Sequence, residues 1–269
     1  MGKRVVLVGC GNMGYAMMKG WLAAGKLSAA DISVVEPNDE LRARAADCGV
    51  SVAAQPDALP WREADLVIFA VKPQMVHQVV PDYRFFAPGA TFLSVAAGAG
   101  ISLFEELLGH NAAVVRCMPN TPAAIGKGML VIVSNGNVRP QTKEFVNELL
   151  ATNGAVATIE DESLMDTVTA VSGSGPAYVF HFIECLTAAG EQAGLPSQTA
   201  KQLAMQTVYG AAVLAKESGE EPGMLREQVT SPNGTTAAAL KVLMGEERLQ
   251  RLLGEAVEAA RQRSIELGK

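Results

Sequence analysis

Residues 5–14 carry the feature that most restricts the fold of this chain, the sequence VVLVGCGNMG. A run of apolar, strand-forming residues leads into Gly9, Gly11 and Gly14, and residues 15–24 behind them have a helical composition. In a G-x-G-x-x-G loop the first glycine permits a tight turn and the second lets the backbone approach a pyrophosphate. The third allows helix and strand to pack closely, and the helix start favours phosphates. The order of strand, glycine loop and helix therefore predicts a dinucleotide-binding fold.

The composition narrows the class of protein further. The chain has 269 residues, of which 49% are hydrophobic and 19% charged, and its formal net charge is −6. That length suits two domains with a sizeable core. The acidic balance argues against a nucleic-acid or anionic-membrane partner, and no apolar run is as long as a membrane span. We therefore expect a cytoplasmic protein with no nucleic-acid or membrane partner.

The cysteines and histidines give no indication of a metal site. The four cysteines are far apart and form no C-x-x-C pair, and the three histidines lie in unrelated segments. We expect buried, reduced thiols, structural or surface histidines and no bound metal.

The pattern of elements changes at about residue 160. Residues 1–160 alternate between strand and helix patterns, which predicts an α/β Rossmann-type domain with a mostly parallel sheet. Within it, Ser102-x-x-Glu105 resembles a capping box at the start of a short helix. Residues 161–269 are dominated by helices, which predicts an all-α second domain.

One predicted helix of the second domain, residues 176–193, is apolar around its whole circumference. Val179, Phe180 and Phe182 point in different directions from its axis. Such a helix has to be enclosed on all sides, and a helical unit of about a hundred residues exposes too much surface to do this alone. We therefore expect a second subunit to enclose it.

Several loops are candidates for binding the cofactor. Glu36 ends the second predicted strand, where an acidic side chain accepts hydrogen bonds from the adenosine ribose and favours NAD(H). Asn38, Arg42 and Arg44 lie just beyond and suit a 2′-phosphate, so NADP(H) remains an alternative, as does a merely solvated carboxylate at Glu36. The predicted cofactor-binding residues are Gly9, Gly11, Asn12, Met13, Gly14, Glu36, Asn38, Ala70, Val71, Lys72, Pro73, Ala97 and Gly98.

Two further segments combine small and polar residues at the start of a helix. Residues 172–178, SGSGPAY, suit a tight approach of the backbone, although a hinge between helices explains them as well. Residues 229–236, VTSPNGTT, present backbone amides and hydroxyls suited to a small carboxylate, and ordinary N-capping is the alternative.

Together these segments resemble the pyrroline-5-carboxylate reductases. The similarity runs from the first strand to the last helix and includes GCGNMG, AVKP, RCMPNTP, SGSGPAY and TSPNGTT in the order of the family. The resemblance implies reduction of 1-pyrroline-5-carboxylate, a cyclic imino acid, to L-proline with NADPH or NADH. It also implies that residues 1–160 form a dinucleotide-binding Rossmann domain and that residues 161–269 form a helical domain for substrate binding and dimerisation, which interlocks two subunits. In some members such homodimers assemble into homodecamers.

The same resemblance assigns the substrate site. It implies that Gly234 and Thr235, with Ser231 nearby, bind the substrate carboxylate. Thr236 would be the catalytic residue, hydrogen-bonded to the ring nitrogen, and Glu162 would contact the substrate region. Asn233 stands where glycine is common in the family, and asparagine tolerates left-handed backbone angles.

Two other functions remain open at this stage. A β-hydroxyacid dehydrogenase or imine reductase shares the glycine-rich start and the helical second half, but Lys201 and Lys216 lack the motif around its catalytic lysine. A dinucleotide-sensing module without catalysis would leave the loop of residues 230–236 unexplained.

Overall fold

The computed structural model describes residues 2–268, which form two compact units. The first unit contains the residues up to Ser174 and those from Ala260 onward, and the second contains Gly175–Ala259. By contacts, residues 161–174 and the end of the last helix therefore belong with the first unit. The division into functional domains at residues 160 and 161 stays a prediction.

The first unit is built on an eight-stranded sheet with the order β3-β2-β1-β4-β5-β6-β7-β8. Neighbouring strands are parallel except for the antiparallel pair β6 and β7. The predicted Rossmann-type, mostly parallel sheet is confirmed. The strands are β1 Val5–Val8, β2 Ile32–Val35, β3 Ser51–Ala53, β4 Leu66–Phe69, β5 Thr91–Ser94, β6 Ala113–Met118, β7 Gly128–Ser134 and β8 Gly154–Thr158.

Helices cover both faces of this sheet, which explains why the central strands β1 and β4 are apolar throughout. Val5 and Leu7 pack into one core with Trp21 of the first helix, while Val6 and Val8 pack into a second core on the opposite face. Successive side chains of a strand point to opposite faces, so β1 contributes to both cores. The helices of this unit are α1 Asn12–Ala23, α2 Asp39–Ala46, α3 Val76–Val79, α4 Ile101–Leu108, α5 Pro140–Ala151 and α6 Met165–Val168.

The start of α4 corrects one prediction. The helix begins at Ile101 with Gly100 as its N-cap residue, so Ser102 lies inside the first turn and forms no capping box. The Ile101 N–H instead donates to Oε1 of Glu162 at 2.8 Å. A carboxylate at a helix N-terminus satisfies an amide and complements the helix dipole, so the cap comes from a distant segment.

The second unit consists of helices and the loops between them. Its helices are α7 Gly175–Gln192, α8 Ser197–Ser218, α9 Pro222–Gln228, α10 Thr235–Met244 and α11 Arg248–Leu267, whose last turns belong to the first unit. The helix predicted over residues 176–193 is present, whereas the short α9 was not predicted. Among the helices of residues 2–268, none has the length and apolarity that crossing a membrane requires.

Candidate active site

Six parallel strands of the sheet, β1 to β6, end at the same edge, and four of them bring the predicted cofactor loops together. In the register of the sheet, Val8 at the end of β1 lies beside Val35 and Phe69, and Phe69 lies beside Ser94. The residues that follow these strand ends are the glycine loop, Glu36, the loop 70–73 and the loop 95–98. Ligands of open α/β sheets bind at this edge, and the fold brings the predicted cofactor residues together there.

The three glycines of the loop differ in the space around them. Gly9 has φ +87°, and a Cβ added to it would lie 2.7 Å from the Ala70 carbonyl oxygen. A Cβ on Gly14 would overlap the carbonyl oxygen of Gly9, whereas a Cβ on Gly11 would meet no atom within 4 Å. The first and third glycines therefore serve the packing of the loop. The open space at Gly11, beside the N-terminus of α1, fits a pyrophosphate.

The peptide groups at Cys10 are held from two sides. Oε2 of Glu36 accepts a hydrogen bond from the Cys10 N–H at 2.7 Å, and Nη2 of Arg44 donates to the Cys10 carbonyl at 2.8 Å. Oε1 of Glu36 accepts from the Asn38 N–H at 3.0 Å, and only 7% of Glu36 is exposed. These hydrogen bonds connect the glycine loop to the end of β2 and to α2.

Cys185 is exposed, which corrects the expectation of buried thiols, whereas burial determines the state of the Cys10 thiol. Desolvation raises the pKa of this thiol to about 11, an effect that the nearby Arg44 opposes and Glu36 reinforces. Burial likewise raises the pKa of the Cys117 thiol on β6. Both thiols are protonated at neutral pH, since a buried acid resists ionisation, and neither is a nucleophile.

Both arginines that suit a 2′-phosphate are already engaged by this chain. Nη1 of Arg42 donates to the carbonyl oxygens of Glu36 and Pro37, each at 3.0 Å, and Nη2 forms an ion pair with Asp39. The guanidinium of Arg44 lies 4.0 Å from the ring centroid of Tyr15 in addition to its bond to Cys10. These contacts hold the cations in place around the end of β2.

The remaining predicted cofactor residues line the same edge. Gly98 has φ +76°, and a Cβ added there would lie 3.1 Å from the backbone nitrogen of Gly268. Lys72 is exposed and directly precedes a 3₁₀ turn at Pro73–Met75. The exposed or half-buried residues at this edge are Asn12, Met13, Asn38, Ala70, Val71, Lys72, Pro73, Ala97 and Gly98.

Glu162 takes part in an ion pair that was not predicted. Its Oε1 accepts from Nη1 of Arg116 at 3.0 Å as well as from the Ile101 N–H. Arg116 is only 7% exposed and lies on β6. The sequence signal for this ion pair was a charged residue inside an otherwise apolar strand, because a buried arginine requires an anionic partner. Contact of Glu162 with substrate stays a prediction.

The segment 172–178 also has a specific backbone geometry. Thr169–Gly173 form a π-helix between α6 and α7, and the Ser174 N–H donates to the Thr169 carbonyl at 2.8 Å. Single π turns occur often at functional sites. Nδ2 of Asn120 donates to the Ser172 carbonyl at 3.1 Å.

In the second unit, the predicted substrate residues lie together in one turn. The Gly234 N–H donates to the Ser231 carbonyl at 3.0 Å, and Gly234 is the N-cap residue of α10, which Thr235 and Thr236 open. Asn233 has φ +60°, which confirms the left-handed conformation expected of it. The N-terminus of a ten-residue helix preceded by glycine offers backbone amides to an anion.

Residues 2–268 contain no group of three or more histidine, cysteine, aspartate or glutamate side chains arranged to hold a metal ion.

Comparisons with known proteins agree with this architecture. Residues 162–267 match the family model described as pyrroline-5-carboxylate reductase dimerisation, and residues 4–98 match one described as NADP oxidoreductase, coenzyme F420-dependent. The pyrroline-5-carboxylate reductase of Pseudomonas aeruginosa is 39% identical over 267 residues, which cover 99% of this chain and 97% of the relative. That of Escherichia coli is 34% identical over 100% of both chains.

Solved structures give the same result. A pyrroline-5-carboxylate reductase from Coxiella burnetii has a TM-score of 0.92 and 34% identity, with 100% of both chains covered. The Plasmodium falciparum enzyme, solved with NADP bound, has a TM-score of 0.86 and 30% identity and covers 99% of this chain and 98% of its own. The glycine loop and sheet define a dinucleotide-dependent oxidoreductase. The chain belongs to the pyrroline-5-carboxylate reductase family.

More distant structures share only the fold. A prephenate dehydrogenase from Aquifex aeolicus, for example, is 17% identical with a TM-score of 0.54.

Proposed function

We propose that this chain reduces 1-pyrroline-5-carboxylate to L-proline with NADH or NADPH. The observation that carries the proposal is the full-length similarity to reductases of this name, which spans both the glycine loop and the helical second half. In the reaction a hydride adds to the imine carbon, and the ring nitrogen retains a proton as the amine of proline.

The residues around the glycine loop fit the cofactor. The open space at Gly11 and the first amides of α1 would receive the pyrophosphate, and Glu36 would face the adenosine ribose. The loops after β4 and β5 would line the path toward the nicotinamide, through Ala70, Val71, Lys72, Pro73, Ala97 and Gly98. When bound, the cofactor supplies the hydride, and this chain supplies orientation and exclusion of water.

We further propose that NADH is the preferred cofactor. The Glu36 carboxylate is held at the end of β2 by two backbone N–H groups, so it cannot swing away from a 2′-phosphate without breaking them. The guanidinium groups of Arg42 and Arg44 are already bound to acceptors of the chain. A fixed anion beside engaged cations disfavours a phosphate and favours a ribose hydroxyl.

The turn at Ser231–Thr236 is the proposed site of the substrate carboxylate. Thr235 and Thr236 open α10 after the N-cap residue Gly234, and the helix dipole and the N–H groups of this first turn attract an anion. The Thr236 hydroxyl is proposed to hydrogen-bond the ring nitrogen. Glu162 is proposed to contact the substrate region, a role compatible with its fixed position beside Arg116.

Such a site needs no charged catalytic dyad. A protonated cyclic imine is already electrophilic, so the enzyme mainly aligns its carbon with the hydride donor. Alignment of this kind lowers a barrier by roughly 7–11 kcal/mol.

The assembly is proposed to be a homo-oligomer built from interlocked dimers. No residue of α7 is buried within the single chain, and Phe180 and Phe182 are 58% and 47% exposed. Apolar surface of this extent marks an interface, and a second copy is the partner that the matched dimerisation family suggests. A decamer of such dimers and a cytoplasmic location are further proposals, the latter supported by four free cysteines.

A kinetic assay tests the function. Oxidation of NADH and of NADPH is followed at 340 nm with pyrroline-5-carboxylate, and a hydroxyacid–oxoacid pair serves as the comparison substrate. We expect turnover with the imine alone and formation of L-proline, with NADH giving the higher kcat/KM. Binding of NADH without turnover would refute the proposal in favour of a sensing module, and turnover of the hydroxyacid pair alone would indicate a dehydrogenase.

A further inference from the structure

The Asn120 side chain connects two segments of the first unit through both ends of its amide. Its Oδ1 accepts a hydrogen bond from the Met129 N–H at 2.8 Å, at the start of β7. Its Nδ2 donates to the Ser172 carbonyl at 3.1 Å, in the π-helix. Because both ends are bound, the orientation of the amide is fixed, and so is the distance between the two segments.

The π-helix needs an external partner of this kind. Its wider turn carries an extra residue, which puts a carbonyl out of register with the regular helical ladder. The Asn120 amide satisfies the carbonyl of Ser172. The neighbouring Gly173 lies so close to Met118 that an added Cβ would overlap the Met118 side chain. The segment is therefore held against the end of β6 by packing and by one directed hydrogen bond.

The Ser172 side chain indicates that this geometry has a cost. Its Oγ is buried and has no hydrogen-bond partner. A buried hydroxyl without a partner costs about 1–3 kcal/mol. This unsatisfied hydroxyl lies in the small-residue segment SGSGPAY, as expected where function overrides stability.

Asn120 and the π-helix lie at the same edge of the sheet as the candidate active site. Asn120 follows β6, which is parallel to β5, so both strands end at the edge where the cofactor loops lie. Beyond the π-helix the chain continues directly into α7. The position of Ser172–Ser174 at this edge is therefore set from β6 and β7 through Asn120.

We propose that Asn120 is a positioning residue for the reduction, which it serves by holding Ser172–Ser174 in the π-helical geometry at the cofactor edge. This inference rests on the proposed function for its catalytic meaning. Asn120 acts through the segment it holds.

The substitution Asn120→Asp tests the bond selectively. Aspartate keeps an oxygen for the Met129 N–H but places a second oxygen opposite the Ser172 carbonyl, where the donor is lost. Asn135→Asp is the matched control. Oδ1 of Asn135 accepts from the Val114 N–H at 3.1 Å, at the opposite end of β6, and its Nδ2 donates to the Ala112 carbonyl and to Oε1 of Glu105, each at 2.8 Å.

We expect Asn120→Asp to lower kcat by about 10- to 100-fold, the effect of a small misalignment of reacting groups. The Kd for NADH should change by less than about threefold. The primary isotope effect with NADH deuterated at the transferred position should rise, because hydride transfer becomes slower. Asn135→Asp should lose thermal stability without a selective fall in kcat at an unchanged Kd for NADH. A kcat within about twofold of wild type, or an equal loss of kcat in both variants, would overturn the proposal.

Hydrogen exchange separates this inference from the proposed function. Faster exchange of amides 169–175 is expected in Asn120→Asp alone, whichever substrate the enzyme uses. If the wild-type enzyme fails to reduce pyrroline-5-carboxylate, the proposed function is wrong and the exchange data still judge the role of Asn120. Unchanged exchange in that segment overturns the inference independently.

Discussion

The carboxylate of Glu36 accepts a hydrogen bond from the backbone N–H of Cys10 at 2.7 Å. One side chain at the end of β2 therefore both shapes the glycine loop after β1 and presents a negative charge where the adenosine ribose is expected. Loop geometry and cofactor preference are coupled in this residue, so its substitution should affect both.

Replacing Glu36 by serine should shift the preference toward NADPH. Loss of the fixed anion removes its repulsion of a 2′-phosphate, and the ratio of kcat/KM for NADH to that for NADPH should fall about 10- to 100-fold. Affinity for NADH should also decline, since the glycine loop loses the hydrogen bond from the Cys10 N–H to the Glu36 carboxylate. Glu40→Ser, an exposed acid in the first turn of α2, is the control. An unchanged ratio in Glu36→Ser would contradict the assignment.

Two glycines of the loop should respond differently to the same substitution. In Gly11→Ala the new methyl group has open space around it in the free protein, so the unfolding free energy should change by less than about 1 kcal/mol. It should nevertheless block the pyrophosphate and raise the Kd for NADH at least about tenfold. Gly14→Ala should lose about 1–3 kcal/mol of stability, because its methyl group overlaps the Gly9 carbonyl.

Denaturant titration and NADH fluorescence check this pair. Equal stability loss in both variants would show that Gly11 serves packing after all.

Replacing Thr236 by alanine should lower turnover by about one to two orders of magnitude, the size expected when one positioned donor is lost. Thr230→Ala is a control from the same loop, since its hydroxyl already donates to the Arg226 carbonyl at 2.6 Å. Steady-state kinetics with pyrroline-5-carboxylate measures the difference. If kcat and KM stay unchanged in Thr236→Ala, the catalytic assignment is incorrect.

Charges on α7 should disrupt the assembly. Phe180→Glu combined with Phe182→Glu places two carboxylates in the proposed interface, where an unpaired charge is strongly disfavoured. Light scattering should show a dimer or larger species for the wild type and a smaller species for the double variant. Phe85→Glu, at a phenylalanine 41% exposed in the first unit, should leave the mass unchanged. A monomeric wild type at micromolar concentration would refute the interface.

Because of the buried Cys10 thiol, we expect the free energy of unfolding to fall at alkaline pH. Its pKa rises from an ordinary 9.0 to about 11 on folding. Above pH 9 the unfolded chain therefore binds fewer protons than the folded one, and stability falls as pH increases until about pH 11. In Cys10→Ala this decline should be smaller by about 2 kcal/mol. Urea titrations between pH 8 and 11 measure it, with exposed Cys185→Ala as the control. Parallel curves for Cys10→Ala and wild type would contradict the prediction.

The cofactor edge was predictable from sequence because its signals are local. A run such as Val5–Val8 followed by Gly9, Gly11 and Gly14 specifies a strand, a turn and a helix within a few residues. Parallel strands then bring successive loops to one edge without further information. The short β3 and α9 escaped prediction, since three and seven residues carry too little periodicity.

The long-range polar contacts were not predictable in the same way. Glu162 caps a helix that begins 61 residues earlier, in place of the local Ser102 and Glu105. Likewise, nothing near Asn120 in the sequence indicates its bond to Ser172, 52 residues away. Such pairings depend on which segments the folded chain brings together, and a single sequence does not contain that information in a local form.

The chain leaves the first unit at Ser174 and returns to it near Ala259 in α11, so the first unit contains both the segment up to Ser174 and the last turns of α11. Within this unit the Ser264 hydroxyl donates to Oδ1 of Asp166 at 2.6 Å. A protease that cut the chain at Ser174 would therefore leave two fragments that stay associated through the packing of this terminal helix.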